Sequence, residues 1–235
     1  MAYRSAFSGF WVSALVVTGL LAGCSSGNDN GGGGKGSPPL VVDADGNSTF
    51  DATALGSQLA ALPVEALSAQ ERSSLLYMRE EEKLAGNTYS QLFTKWGQKI
   101  FSNISTSEST HTEAVRQLLL RYNVADPAAT TGPGEFANAQ LQALYSQLVA
   151  AGSVSLLEGL KVGAAIEELD MLDINTHMTT VDNQDIKLVY NNLLKGSRNH
   201  LRSFYKTLQQ QGGSYQAQYL TQAEFDAIVG SDMEK

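Results

Sequence analysis

The spacing of apolar residues is the feature that most restricts what this chain can fold into. Between residues 101 and 122, the inward positions recur at alternating steps of three and four, which is the spacing of one face of an amphipathic helix. Three further segments, at 68–96, 154–178 and 183–211, keep the same rhythm. No segment alternates with the period of two that a half-buried strand shows. The pattern therefore predicts an all-α fold.

Start and stop signals set the bounds of these helices. The first long helix begins with the capping-box sequence SAQE at residues 68–71 and is expected to end before Gly97. The fourth is ended by a Gly-Gly pair at 212–213. The predicted helices span residues 68–96, 102–122, 154–178 and 183–211, with shorter ones at 55–62, 136–150 and 221–229.

The lengths of the connections predict the topology. About half a dozen residues join the first long helix to the second, and about as few join the third to the fourth. Each pair is therefore expected to form an antiparallel hairpin. Roughly 30 residues separate the two pairs. Two hairpins joined by one long crossover are typical of the ferritin-like four-helix bundle.

The inward stripes of all four long helices contain residues that bind metal ions. A buried carboxylate is costly unless it is paired, and no Lys or Arg shares these stripes. A shared cation would neutralise such carboxylates. The candidate ligands are Glu82, Glu108, His111, Glu167, Asp170 and His200, with Tyr89 and Ser197 as candidate supporting residues. Glu80 and Glu81 fall off the stripe and are predicted to be solvated surface charges.

Each of these residues also has a simpler interpretation. A single glutamate in an apolar stripe is more often ion-paired or directed to solvent, and a lone core histidine is more often bonded to the backbone. Tyr89 is more simply explained by core packing, and His177 is predicted to lie at the surface. The metal hypothesis is favoured because all four helices contribute, and because two of the three histidines are among the candidates.

The first 52 residues are predicted to lie outside the folded domain. Residues 1–23 carry a single charge and an apolar run, which predicts an export signal rather than a membrane-spanning helix. The run ends in LLAGC, which resembles a bacterial lipobox with Cys24 as the lipidated mature N-terminus. Ser25 favours the outer membrane, if the host has one. An ordinary signal with an unrelated cysteine is the alternative.

The rest of the chain divides into a tether and a folded domain. Residues 24–52 are predicted to be a glycine-rich tether, although residues 40–50 look extended. Residues 53–235 are predicted to form the bundle domain.

Composition restricts the partners. Cys24 is the only cysteine, so the mature domain has no disulfide and no thiolate ligand. Loss of Arg4 with the signal leaves 15 Lys and Arg against 24 Asp and Glu. Such an acidic domain is not suited to nucleic acid or to anionic lipid surfaces. The lipid on Cys24 is the expected membrane contact.

Four stretches within residues 68–229 carry a resemblance to a known family. The chain resembles the uncharacterised ferritin-like family called domain of unknown function 2202 in LLYMREEEKLAGNTYSQLFTKWG, FSNISTSESTHTEAVRQLL, GAAIEELDMLDI and LLKGSRNHLRSF. The resemblance implies the di-iron centre of the wider ferritin-like and rubrerythrin-like superfamily. The pattern of that superfamily matches Glu82 with Ala85 and Tyr89, Glu108 with His111, and Glu167.

The fourth helix departs from this pattern. The superfamily expects a second Glu-x-x-His, but the chain has Ser197 and then His200. Asp170 can substitute for the absent carboxylate, as rubrerythrin-like proteins use an extra carboxylate on the third helix. The four carboxylates would then balance two divalent ions. A site for one metal ion is the alternative.

The resemblance and the ligand types together predict the chemistry. Carboxylate and imidazole ligands suit iron or manganese, and zinc can also bind. With two irons, the expected reaction is reduction of O₂ or peroxide, or oxidation of Fe²⁺. Electrons would come from a separate partner, because the chain has no cysteines for a rubredoxin-type donor. The competing prediction is a non-catalytic envelope lipoprotein whose bundle binds a partner and whose metal is structural or vestigial.

Overall fold

A computed structural model describes residues 38–235 of the chain. The predicted signal, Cys24 and the first part of the predicted tether, up to residue 37, lie outside the described residues. Within the described range the chain is mostly helical, as predicted. The elements are β1 Leu40–Val42, β2 Ser48–Phe50, α1 Ala52–Ala61, α2 Ala69–Trp96, α3 Lys99–Arg121, α4 Ala139–Gly152, α5 Leu156–Met178, α6 Gln184–Gln210 and α7 Gln222–Val229. None of these helices is long and apolar enough to span a membrane.

The four long helices begin and end close to their predicted bounds. The Ser68 side chain accepts a hydrogen bond from the backbone N–H of Glu71, and the Glu71 carboxylate accepts one from the backbone N–H of Ser68. This capping box starts α2 as predicted. Gly97 ends the helix with φ of 64°, a left-handed conformation that favours glycine. The local signals therefore fix both ends of α2.

Contacts between the long helices show which of them run antiparallel. Two residues join α2 to α3, and five join α5 to α6, so each pair packs as a hairpin. Across the pairs, α2 packs on α5 and α3 packs on α6. The Tyr77 hydroxyl bonds to Asp173, whereas the Tyr89 hydroxyl bonds to Glu167. Residue numbers rise on α2 as they fall on α5, so these two helices are antiparallel.

A two-stranded hairpin corrects the prediction that the chain contains no sheet. Leu40 pairs with Phe50 and Val42 with Ser48 in antiparallel register, and these four residues are buried while Val41 is exposed. Each strand is only three residues long, so alternation is too brief to be recognised in the sequence. The hairpin lies within the segment that the sequence predicts as a tether.

Hydroxyl groups of α3 and α6 fix this hairpin to the helices. The backbone N–H of Ser48 donates to Ser107 Oγ at 3.1 Å, and that of Phe50 donates to Thr110 Oγ1 at 3.0 Å. From α6, Ser203 Oγ donates to the carbonyl of Asp45 at 2.6 Å. These bonds satisfy backbone groups of the hairpin and hold β2 against the interior face of α3.

The prediction that Glu80 and Glu81 are surface charges is wrong, because their side chains are 2% and 3% exposed. The crossover segment that carries α4 packs on α2 and covers the face that the helical spacing directs outward. Glu80 accepts hydrogen bonds from the backbone N–H groups of Ala137 and Asn138 in this segment. A helix in contact with more than one layer has more than one buried face, and a single-stripe analysis detects only one of them.

Candidate metal centre

The structure brings together the metal-ligand residues that the four long helices place in their inward stripes. One comes from α2, two from α3, two from α5 and one from α6, and none is more than 6% exposed. In the structure they form one cluster. The members are Glu82, Glu108, His111, Glu167, Asp170 and His200.

Five of the six residues form two overlapping groups that can hold metal ions. Glu82, Glu108 and His111 form the first group, and Glu108, Glu167 and His200 form the second. Within each group the ligand atoms lie within 4.8 Å of one another. Glu108 belongs to both groups, so its two oxygens can serve two neighbouring ions. Asp170 belongs to neither group.

Both histidines direct Nδ1 toward carboxylates. His111 Nδ1 lies 2.9 Å from Glu108 Oε2 and 3.4 Å from Glu82 Oε2. His200 Nδ1 lies 2.9 Å from Glu108 Oε1 and 3.5 Å from Glu167 Oε2. The two imidazole rings are stacked, with centroids 5.3 Å apart and planes inclined by 12°. The two halves of the centre therefore have matching geometry around the shared carboxylate of Glu108.

Ser48 is a site residue that the sequence analysis missed. Its Oγ lies 2.8 Å from Nε2 of His111 and 2.8 Å from Nε2 of His200, and the side chain is fully buried. A hydroxyl oxygen has two lone pairs, so it can accept from both Nε2–H groups and leave both Nδ1 atoms directed at the carboxylates. A Cβ on Gly196 would lie 2.6 Å from the His111 ring and 2.9 Å from Ser48 Oγ, so the absence of a side chain there makes room for this arrangement.

Tyr89 and Ser197 contact the centre from behind its ligands. The Tyr89 hydroxyl donates to Glu167 Oε1 at 2.5 Å, while its ring packs against Phe204 with centroids 5.1 Å apart. Tyr89 thus does more than fill the core. Ser197 Oγ donates to Asp170 Oδ2, which holds that carboxylate near the centre although it lies outside both groups. His177 belongs to neither group and is half-buried against Tyr77, with ring centroids 5.5 Å apart, rather than at the surface.

Several buried polar atoms of the cluster have no hydrogen-bond partner. They include Glu82 Oε1, Asp170 Oδ1 and His200 Nδ1, the last of which lies near Glu108 Oε1 without hydrogen-bond geometry. Buried polar atoms in folded proteins are nearly always paired. Among the described residues, no Lys or Arg forms an ion pair with a carboxylate of the cluster. The cluster therefore fits a bound cation, and its oxygen and imidazole donors suit iron, manganese or zinc.

The same contacts shift the pKa values of the cluster. Burial alone would lower the pKa of His111, but the carboxylates of Glu108 and Glu82 raise it to about 9. Burial is likewise outweighed at His200, whose pKa is raised to about 10 by Glu167 and Glu108. Glu108 is buried as well, yet the two imidazoliums hold its pKa well below its usual range. Burial raises the pKa of Glu82 to about 8. Without metal, protons therefore balance part of the negative charge.

Comparison with known proteins identifies a relative and a family that this chain resembles. An uncharacterized protein of Methanocaldococcus jannaschii, MJ0754, is 44% identical over 177 residues, which cover 75% of this chain and 96% of that protein. The crystal structure of the hypothetical protein MJ0754 is similar with a TM-score of 0.72 and 45% identity, over 74% of this chain and 99% of that one. The profile of the uncharacterized protein domain DUF2202 matches residues 71–232, which include the cluster's six residues but not Ser48. The chain therefore belongs to the DUF2202 family.

Proposed function

We propose that this protein binds two divalent metal ions in the interior of its long helices. Glu82 and His111 would hold one ion, Glu167 and His200 the other, and Glu108 would contact both. The observation that carries the proposal is the pair of overlapping ligand groups, each with ligand atoms within 4.8 Å of one another. The unpaired atoms of the cluster support it, because a cation would satisfy them.

We also propose that the four long helices form a ferritin-like bundle. Contacts of Tyr77 with Asp173 and of Tyr89 with Glu167 make α2 and α5 antiparallel. Those of Tyr122 with Asp185 and Phe101 with Phe204 do the same for α3 and α6. The resulting order of directions is up, down, down, up. One long crossover between two hairpins requires this order, and ferritin-like folds have such a crossover.

Iron is the metal that the proposal favours, and two bound irons would supply redox chemistry with O₂ or peroxide. The residues of the chain hold the ligands in place and exclude water. Tyr89 positions Glu167 through its hydroxyl, and Ser48 positions both imidazoles. Together with Asp170, the three glutamates provide four negative charges, which two divalent ions would balance. Manganese or zinc would fit the same donors.

We further propose that the protein is exported and anchored to the cell envelope by a lipid on Cys24. The support is the sequence of residues 1–24, which combines a short apolar run with a lipobox-like ending. Mass spectrometry of the mature N-terminus from the native host would test this. A diacylglyceryl-modified Cys24 is expected, and an unmodified N-terminus at another residue would contradict the anchor.

Elemental analysis of protein purified without chelators is the direct test of metal binding. About two ions per chain are expected, with iron as the main element. A chain carrying His177→Ala is a matched control, because this histidine belongs to neither group and should leave the metal content unchanged. Absence of any bound metal, even after addition of Fe²⁺, Mn²⁺ or Zn²⁺ to the purified protein, would exclude the proposed function.

A non-catalytic metal site is the second candidate. The observation that favours it is Ser197, which stands where the superfamily expects a glutamate and bonds to Asp170 and to the carbonyl of Leu193. Mixing the ferrous protein with peroxide separates the two candidates. Rapid oxidation that repeats after reduction supports an oxidoreductase, whereas an ion that stays tightly bound and ferrous supports a structural role.

A further inference from the structure

A series of carboxylates on α5 leads away from the proposed centre. Glu167, Asp170 and Asp173 follow one another at steps of three, so each lies about 4.5 Å further along the helix axis than the one before. Glu167 is 2% exposed, Asp170 is 6% exposed and Asp173 is half-buried. The series therefore runs from the interior of the protein toward its surface.

Helix α2 places a further carboxylate beside this series. The Tyr77 hydroxyl lies 2.9 Å from Asp173 Oδ2, and the Tyr89 hydroxyl lies 2.5 Å from Glu167 Oε1. These two bonds fix the register of the antiparallel helices at both ends of the series. The stretch of α2 between the two tyrosines contains Glu81, which lies near Asp173 and Asp170.

Glu81 is buried and has no hydrogen-bond partner for either carboxylate oxygen. Asp170 Oδ1 and Glu82 Oε1 are unpaired in the same way. The carboxylate of Glu81 lies near those of Asp173 and Asp170. Unpaired carboxylate oxygens therefore continue from the centre to the half-buried Asp173, and no Lys or Arg among the described residues pairs with Glu81, Asp170 or Asp173.

Glu81 does not bind backbone N–H groups, and the carboxylates of the series do not form a third compact metal site. The preceding residue, Glu80, accepts two backbone N–H groups, whereas Glu81 accepts none. Among the described residues, the only groups with three ligand atoms within 4.8 Å of one another are the two at the centre. Carboxylates that lie further apart than the ligands of a metal site can attract a cation without binding it tightly.

The geometry points to a cation path in which Asp173, Glu81 and Asp170 conduct divalent metal ions between α2 and α5 from the surface to the centre. The inference rests on the proposed function, since it needs a metal ion as cargo. It also gives Asp170 a role that its position outside both ligand groups explains. Clefts lined by charges of one sign raise the association rates of ions of the opposite sign by 10-fold to 10³-fold.

The test is the rate of metal uptake by a full-length chain that carries Glu81→Gln and Asp173→Asn. Both substitutions keep the shape of the side chain and replace a carboxylate, which can bind a cation, with a neutral amide. Co²⁺ is added to metal-free protein in a stopped-flow spectrometer, and the visible absorption of bound cobalt is followed. Uptake is expected to slow by about tenfold or more, while the final number of ions per chain stays that of the wild type. Release into a chelator should slow in parallel.

The matched control carries Glu113→Gln and Glu158→Gln, which remove two charges from ion pairs with Arg116 and Lys161 away from the path. Its uptake rate should equal that of the wild type. An unchanged rate in the path variant would exclude the path, as would a third tightly bound ion that the variant loses. If the wild-type chain binds no Co²⁺ at equilibrium, the proposed function itself fails. Normal final occupancy in the variant shows that it is folded.

Discussion

Three consecutive glutamates on α2 are all buried, yet their surroundings differ. Glu80 lies under the crossover segment, where the backbone N–H groups of Ala137 and Asn138 bond to its two oxygens. Glu82 lies in the centre, where one oxygen is 3.4 Å from His111 Nδ1 and the other has no partner. Glu81 lies beside the carboxylate of Asp173, and neither of its oxygens accepts a hydrogen bond.

The role of a buried carboxylate is therefore indicated by its hydrogen-bond partners rather than by its burial. Backbone N–H groups are permanent donors, so Glu80 needs nothing further and serves to join the crossover to α2. The carboxylates of the centre face histidines and one another, and they have surplus acceptor capacity. Such a group of acceptors is stable only with protons or metal ions between them.

Glu108→Gln should have the largest effect, because Glu108 is the only residue common to both ligand groups. Its loss should remove both ions, with affinity falling by more than the roughly 10- to 100-fold that is typical of residues behind the ligands. Glu82→Gln provides the comparison, since it should weaken only the position with His111. Elemental analysis and isothermal titration would measure both. Retention of two ions by Glu108→Gln would show that this carboxylate is not shared.

Metal binding should depend steeply on pH. At pH 7 the two histidines, with pKa values of about 9 and 10, carry protons that a metal ion must displace from Nδ1. Filling both positions should release at least two protons, and affinity should rise by about tenfold per pH unit for each proton up to about pH 9. Titration calorimetry in two buffers of different ionisation enthalpy counts these protons. Binding without proton release would contradict the raised pKa values.

The same pKa values determine how the stability of the metal-free protein depends on pH. A histidine whose pKa is raised by folding stabilises the fold fully below its unfolded value of about 6.5. That stabilisation is lost as the pH rises through the folded values of about 9 for His111 and about 10 for His200. Metal-free protein should therefore lose stability to urea between about pH 7 and 10, whereas metal-loaded protein should lose less.

Glu80→Ala should destabilise the packing of the crossover on α2 and leave metal binding at the centre unchanged. It leaves two backbone N–H groups of the crossover without their acceptor, which should lower the free energy of unfolding by about 2 kcal/mol. Metal affinity should stay within about twofold of the wild type, because Glu80 belongs to neither ligand group. Urea unfolding of metal-free protein and titration with Co²⁺ measure the two quantities. A large loss of metal affinity would show that the crossover and the centre are not independent.

The helical part of the site could be predicted because periodicity encodes it. Residues at steps of three and four share a face, so Glu82, Glu108, His111, Glu167 and His200 could be assigned to the interior from spacing alone. The register between helices could not be read in this way. It depends on contacts such as that of Tyr77 with Asp173, which join residues 96 positions apart in the chain. Asp170, which spacing also assigned to the interior, is buried there and belongs to neither ligand group.

The errors of the sequence analysis concern residues whose surroundings depend on a second layer. The burial of Glu81 depends on neighbours outside its own stripe, and the sequence spacing on α2 does not encode them. Ser48 was missed for a related reason. It lies in a strand of three residues, 63 positions from His111 and 152 from His200, and nothing in its local sequence distinguishes it from the serines of a linker. Only the packing of the hairpin on α3 and α6 identifies it.

Ser48→Ala should weaken metal binding less than substitution of a ligand does. The imidazoles would lose their shared acceptor at Nε2 but keep the carboxylates at Nδ1, so metal affinity should fall by only about tenfold. Thr110→Val is the control, because the Thr110 hydroxyl bonds to the backbone N–H of Phe50 and to the carbonyl of Ser107 but to neither imidazole. If that variant weakens binding as much as Ser48→Ala does, the hairpin acts by covering the centre.

The ring nitrogens provide a readout that separates positioning from covering. In ¹⁵N spectra of zinc-loaded protein, the wild type should show His111 and His200 both protonated at Nε2, since Ser48 accepts from each. Ser48→Ala should broaden or shift those two signals, while His177 serves as an internal standard because Ser48 does not contact it. Unchanged Nε2 signals would mean that the carboxylates and the metal alone orient the rings. The helices alone would then position the ligands, and the hairpin would serve only to shield the centre from solvent.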